Sequence, residues 1–166
     1  MTGAPMTKEE RPARTYRTGP VTRMLRWVSV LATFAVTAWL MVVYPTLPET
    51  VMTHFGPGGE ADDWGPKWSL LVIVGVMVAA SLPLTAISTR PRGFNYPVEI
   101  TESNAQTMYR EGERLMVWTL LFLQVIYLGI GWSVVLGGGG PLLVIGVAGL
   151  LGASILAIVR MVRAAR

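Results

Sequence analysis

The sequence predicts an all-α membrane protein with four transmembrane helices, cytoplasmic N and C termini, and a short amphipathic interfacial helix in the first outer loop. Composition is the first reason: of 166 residues, 52% are hydrophobic and only 14% charged, against roughly 25% charged in a soluble globular domain. Too few charges remain to cover a water-facing surface, which excludes a soluble enzyme domain; the apolar content equally excludes a disordered chain. The second reason is where charge is missing. Residues 27–48 and 68–89 are two uncharged runs of 22, and residues 115–159 form a third of 45. The third reason is that 13 of the 14 Lys and Arg residues fall on one side of the runs.

The elements follow in order. Residues 1–23 are polar, rich in Thr, Arg and Pro, and read as a disordered basic cytoplasmic arm; residues 24–166 form one membrane domain. A bilayer core of roughly 30 Å takes about 20 helical residues, so the first two runs make spans at about 25–45 and 68–88. The first is too long for a signal-peptide core and lacks a small-residue cleavage pattern, which marks it as a retained anchor. As a single helix the third run would be about 67 Å long, so it must turn back, and Gly137-Gly138-Gly139-Gly140-Pro141 is where helix fails. Spans at 115–136 and 142–160 result. The cytoplasmic loop and stalk, 89–114, carries a third helix that starts before the membrane, with Thr101 or Ser103 as its N-cap. Arg110, Glu113 and Arg114 then sit on an exposed stalk with Tyr109 near the interface, as solvated or lipid-facing charges or, through Tyr109, Arg110 and Arg114, as a docking surface for a cytoplasmic partner.

Charge sorts by topology. The connecting segments predicted to be cytoplasmic carry +7 and the outer loop −3, from a formal total of +4; the positive-inside rule accounts for this. The basic side suits the anionic inner leaflet, and no nucleic-acid partner is needed. Zero cysteines exclude thiolate metal sites and disulfides. No Asp, Glu, Lys, Arg or His lies within the long uncharged runs, which disfavours an ion-coupled transporter. Gln124 is the strongest polar group there, for an interhelical hydrogen bond or a binding role. Small residues at Gly75 and Ala79, and at Gly146, Gly149, Gly152 and Ala153, mark a packing seam or a face for a second copy or a partner subunit.

The outer loop, 46–67, concentrates the remaining chemistry. Thr46 can cap a short helix in which Leu47, Val51 and Phe55 form an apolar stripe at i, i+4, i+8. Gly56 to Gly59 ends it, and Trp64 and Trp68 anchor the return at the interface. His54 is the sole histidine. With Asp62 or Asp63 it makes a structural hydrogen bond, a ligand contact, or an acid/base or metal site; so thin a donor set leads us to expect no metal and no cofactor.

The pattern Tyr44-x-x-Leu47-Pro48-x-x-Val51-x-x-His54-Phe55, then Gly59-x-x-Asp62-x-Trp64-x-x-Lys67, directly after a span, resembles the small bacterial membrane domain at the start of SdpI-type immunity proteins. The resemblance covers Trp27 to Trp68, with echoes at Asn95-Tyr96-Pro97-Val98 and Asn104 to Arg110. Met52 stands where that family often has Pro and Asp63 where it often has Gly, and SdpI-type proteins carry a second membrane domain beyond these four spans. The resemblance implies a multi-pass protein of the bacterial cytoplasmic membrane that protects against or senses a membrane-active peptide. On this reading Tyr44, Leu47, Pro48, His54, Phe55, Gly59, Asp62, Trp64 and Lys67 form the ligand or partner surface. The function expected is a non-enzymatic interaction protein with an immunity, sensing or accessory-subunit role. The alternatives are a membrane-embedded enzyme or metal site using His54 with Asp62 or Asp63, and an accessory subunit of an ABC-type exporter.

Overall fold

Four long helices and one β-hairpin make up the chain in the computed structural model, which describes residues 6–165; the first five residues of the predicted arm and Arg166 lie outside the described residues. Helix α1 spans Pro20–Val43 and leads through a 3-10 turn at Tyr44–Thr46 into strands β1 (Thr50–Phe55) and β2 (Ala61–Pro66). Helix α2 covers Ser69–Ile87, α3 Ala105–Leu136 and α4 Gly140–Ala164. All four helices are long and apolar enough to cross a membrane. The shortest, α2, has 19 residues and is about 28 Å long, close to the thickness of a bilayer core.

The break in the long apolar run falls at the predicted glycines. Gly137 and Gly138 both have φ of +73°, a left-handed conformation that a side chain resists, and Pro141 then sits in the first turn of α4, where its missing N–H is no loss. At the other end α3 starts at Ala105, with Asn104 rather than Thr101 or Ser103 at the N-cap. Ten residues therefore precede the uncharged run, about 15 Å of helix.

Helix α3 is central, with α1, α2 and α4 packed against it. Two polar links cross the apolar interior: Gln124 Nε2 donates to Ser81 Oγ on α2 at 2.9 Å, and the Tyr127 and Thr37 hydroxyls join α3 to α1 at 3.0 Å. Gln124 thus makes an interhelical bond. The small residues divide by role. A side chain on Gly146 or Gly149 would run into Ile126 or the Phe122 ring, so these two let α4 approach α3, whereas Gly75 and Gly152 face open space.

The largest correction concerns the outer loop. The residues expected to form an amphipathic helix, Leu47 to Phe55, are instead the first arm of an antiparallel hairpin, paired Thr50↔Pro66, Val51↔Gly65, Met52↔Trp64 and Phe55↔Ala61. A helix of nine residues is marginal by itself. Pairing with 61–66 satisfies the backbone of both halves, and β-branched Thr50, Val51 and Thr53 suit a strand. Leu47 and Val51 still turn inward, into a core with Leu40, Leu70, Val74 and Tyr127.

The arm and the stalk also differ from expectation. Residues 6–19 lie along the stalk, held by a reciprocal pair in which Thr15 N donates to Gln106 Oε1 at 2.9 Å and Gln106 Nε2 to the Ala13 carbonyl at 2.8 Å. Arg11 donates to the Phe94 carbonyl at 2.7 Å. Tyr109 is fully buried and gives its hydroxyl proton to the Pro12 carbonyl, so it is no part of an exposed docking face. Glu113 is buried too, at 1% exposure. Its carboxylate accepts hydrogen bonds from Tyr16 at 2.9 Å, Thr18 at 2.7 Å and Arg26 at 2.7 Å, with Arg14 at 3.5 Å. Composition made the arm look unable to fold because it holds little to bury; its order comes from polar partners on the stalk. Arg110 and Arg114 stay exposed, Arg110 with its guanidinium 5.0 Å from the centre of the Tyr16 ring.

This docking carries a pH prediction. Burial pushes the Tyr16 phenol well above its ordinary value of 10.0, with the hydrogen bond to Glu113 adding to the effect, and burial does the same to Tyr96. A raised folded-state value stabilises docking fully below the unfolded value and loses that stabilisation as pH climbs through the folded one. The arm should therefore stay docked up to the ordinary phenol value and detach above it. In an ultraviolet phenolate titration, Tyr16 and Tyr96 should ionise late and together with loss of amide protection in 6–19. Uniform ionisation of all five tyrosines near the ordinary value would contradict this.

Candidate functional site

The site is built by the hairpin and by the ends of α3 and α4 that it touches. A five-residue loop, Gly56 to Glu60, joins the strands, closed by Gly56 N to the Glu60 carbonyl at 2.7 Å and Gly59 N to the Gly56 carbonyl at 2.8 Å. Gly59 takes φ of +83°. It also rests directly on the backbone of Gly140, where a side chain on Gly140 would come within 2.7 Å of the Gly59 carbonyl oxygen. Two glycines meeting backbone to backbone thus fasten the hairpin tip to the start of α4.

Along the strands, residues alternate between facing the bundle and facing out. Val51 is buried and Phe55 half-buried, whereas His54, Asp62 and Trp64 are exposed. The ladder loosens around His54, which bridges to Asp63, then recovers its register at Phe55↔Ala61. Across this irregular stretch the His54 and Asp62 side chains meet, Nδ1 to Oδ1, at 2.5 Å. Asp63 is engaged elsewhere, accepting from the Trp64 amide at 2.8 Å. At the base of the strands, Lys67 Nζ donates to Glu49 at 2.8 Å and lies 5.8 Å from the centre of the Tyr44 ring. The hydrogen bond to Glu49 raises the Lys67 ammonium above its ordinary value.

Beneath the tip, the inner face of the hairpin and the outer flanks of α3 and α4 enclose an open groove of about 740 Å³. Its rim is polar, with His54 and Asp62; its floor is apolar, with Ile130, Leu143, Val144, Val147 and Leu151. The size lies within the usual range for a small-molecule or side-chain cluster site. Of the expected surface residues, the structure brings His54, Phe55, Gly59 and Asp62 together on this groove. Tyr44 and Lys67 form a second cluster at the base. Leu47 belongs to the core, which takes it out of any contact surface, and Pro48 and Trp64 are exposed away from the groove. Among the described residues no group of three His, Cys, Asp or Glu side chains could hold a metal ion.

The floor of the groove was not legible as a site. Ile130, Val144 and Val147 are apolar residues on membrane helices, and in sequence nothing separates a groove wall from a lipid-facing surface; only the distant hairpin tip, seated on Gly140, distinguishes them.

With that geometry in view, the family match falls on the first half of the chain. Residues 29–78 match the family described as a domain of unknown function, DUF1648. The matched segment runs from the third turn of α1 through the hairpin to the middle of α2, and it leaves out the α3 and α4 side of the groove. An uncharacterized protein of Archaeoglobus fulgidus is 38% identical over 69 residues, an alignment that covers 36% of this chain and 38% of that protein's length. No solved structure matches.

Proposed function

We propose that this is an integral membrane interaction protein whose outer hairpin and underlying groove receive a cationic, amphipathic peptide, in an immunity or sensing role of the kind implied by the resemblance to SdpI-type proteins. The observation that carries the reading is the groove itself, polar along the His54–Asp62 rim and apolar along its α3 and α4 floor. A peptide with one charged and one apolar face fits that division. The loop's net charge of −3 favours a basic partner over an acidic one. We place the hairpin outside the bacterial cytoplasmic membrane, because the described basic side chains other than Lys67 belong to the opposite end.

The test uses the purified full chain in detergent and a synthetic Leu/Lys amphipathic helix bearing a fluorophore. Saturable binding is expected, weakened by added salt. Val147→Trp, a substitution at an exposed side chain on the groove floor, should lower affinity at least about tenfold by filling the space, which corresponds to about 1.4 kcal/mol. Binding that never saturates, or that is indifferent to Val147→Trp, would remove the proposal.

A second reading draws on the His54–Asp62 contact. A carboxylate on one ring nitrogen orients an imidazole and leaves the other nitrogen available, the arrangement used in acid/base catalysis. It is a membrane enzyme using His54 with Asp62. His54→Ala separates the two readings: peptide binding should persist at reduced strength, whereas catalysis through His54 would be abolished.

A further inference from the structure

At the opposite end of the molecule, α3 and α4 frame a second groove, of about 350 Å³, that no part of the peptide reading uses. Its walls are Trp118 and Phe122 on α3 and Gly149, Gly152 and Leu156 on α4, and Arg114 and Arg160 stand at its mouth. From Gly149 to Arg160 the groove follows eleven residues of helix, about 16 Å. That matches half of a bilayer core, about 15 Å, so the groove has the depth of one leaflet.

The mouth is built for negative charge. Glu111 is buried and contacts both guanidinium groups, pairing with Arg114 and reaching Arg160 at 3.8 Å. It holds the two cations side by side while cancelling only one of them. Both arginines remain about half exposed, and each offers five donors, most of them unused by one carboxylate. An adjoining hollow shares Arg114, Trp118 and Arg160 and extends to the first turn of α1 at Gly19–Thr22. That turn has neither a side-chain cap nor an acidic residue, so its positive dipole end faces the same space. Inside the groove Gly152 has nothing within 4 Å of where a side chain would begin. An apolar channel of leaflet depth, topped by an unneutralised cation and a bare helix N-terminus, has the chemistry of a phospholipid's tail and phosphate.

We infer that the α3–α4 groove is a binding site for one anionic phospholipid, with its acyl chain against Trp118, Phe122 and Gly152 and its headgroup on Arg114 and Arg160. Charge complementarity selects this occupant. A zwitterionic lipid satisfies the apolar channel equally well but carries a cation into a mouth that already has one in excess. A second copy of this chain would bring another pair of arginines against the same mouth.

Native mass spectrometry of the full chain, released from detergent in the presence of equal phosphatidylglycerol and phosphatidylcholine, tests the site. A surface arginine near anionic lipid contributes about 1 kcal/mol, or about fivefold in affinity, so retained phosphatidylglycerol should exceed phosphatidylcholine by about that factor. Arg160→Gln should abolish the preference while leaving some lipid bound. Gly152→Leu, which enters open space and so leaves the helices in place, should displace the lipid. Gly75→Leu, an equally open glycine on α2, should change nothing. Equal retention of the two lipids, or equal effects of the two glycine substitutions, would overturn the assignment. So would a dimer that Gly152→Leu dissociates while the lipid preference persists in the monomer.

Discussion

Replacing Glu113 with alanine should destabilise the protein by about 3–5 kcal/mol, the usual cost of removing one partner from a buried ion pair. The penalty is large against a total stability of about 5–15 kcal/mol. It arises because Arg26 would be left mostly buried, at 13% side-chain exposure, with its charge uncompensated, and because Tyr16 and Thr18 would lose their acceptor. Arg26 also donates through Nε to Ser88 Oγ at 2.9 Å, at the end of α2. One carboxylate thus ties the arm, α1, α2 and α3 at a single point. Thermal unfolding in micelles should fall sharply for Glu113→Ala, and trypsin should cut at Arg14 and Arg17 in the released arm. Glu113→Gln should cost less, since the amide oxygen can still accept from Thr18 or Tyr16. A double variant that replaces Glu113 and Arg26 with Leu and Met should recover much of the loss, because no lone charge is then buried. Wild-type unfolding and an intact arm in Glu113→Ala would show that the cluster is not the tie we take it for.

Gly59→Val should detach the hairpin tip from the bundle. Two costs coincide at this position. A β-branched residue at a φ of +83° pays strain on the order of 1–3 kcal/mol, and its side chain would enter the backbone of Gly140, which has no rotamer by which to yield. The strands should survive, because the Lys67–Glu49 pair and the Thr50↔Pro66 end of the ladder are far from the tip. The native chain has no cysteine, so spin labels at Glu60→Cys and Leu136→Cys report the tip-to-bundle distance cleanly. A narrow distribution in the parent should broaden and lengthen in Gly59→Val, and the affinity for the Leu/Lys peptide should fall with it. An unchanged narrow distribution would mean that the Gly59–Gly140 contact does not hold the hairpin down.

The hairpin shows where local reading fails. Leu47, Val51 and Phe55 do fall at helical spacing, and Leu47 and Val51 are indeed inward-facing. Yet the same positions 51 and 55 also share one face of a strand, since a separation of four is two strand repeats and close to one helical turn. What decided between the two was pairing with 61–66, a segment read only as the return to the membrane. That reading joined His54 to Asp62 or Asp63, and the structure gives the contact to Asp62; that the pair sits on a groove rim depends on Ile130 of α3 and on α4, at least 68 residues further along the chain. The arm and Tyr109 failed for a related reason. A polar segment with few apolar residues can be ordered by hydrogen bonds to a surface, and that surface exists only once α3 has risen beside it.

By itself the sequence determined four apolar helices, the glycine break at 137–139, the sorting of charge to the two ends, and the early start of α3. These depend on length, hydropathy and backbone freedom, which act within a few residues of where they are written. Tertiary structure alone decided that the outer loop is a hairpin, that Glu113 is the buried tie of the basic end, and which lipid-like surfaces close into grooves. Each of these is a contact between segments far apart in the chain. Its free energy belongs to pairs of groups, and no single stretch of sequence carries both members.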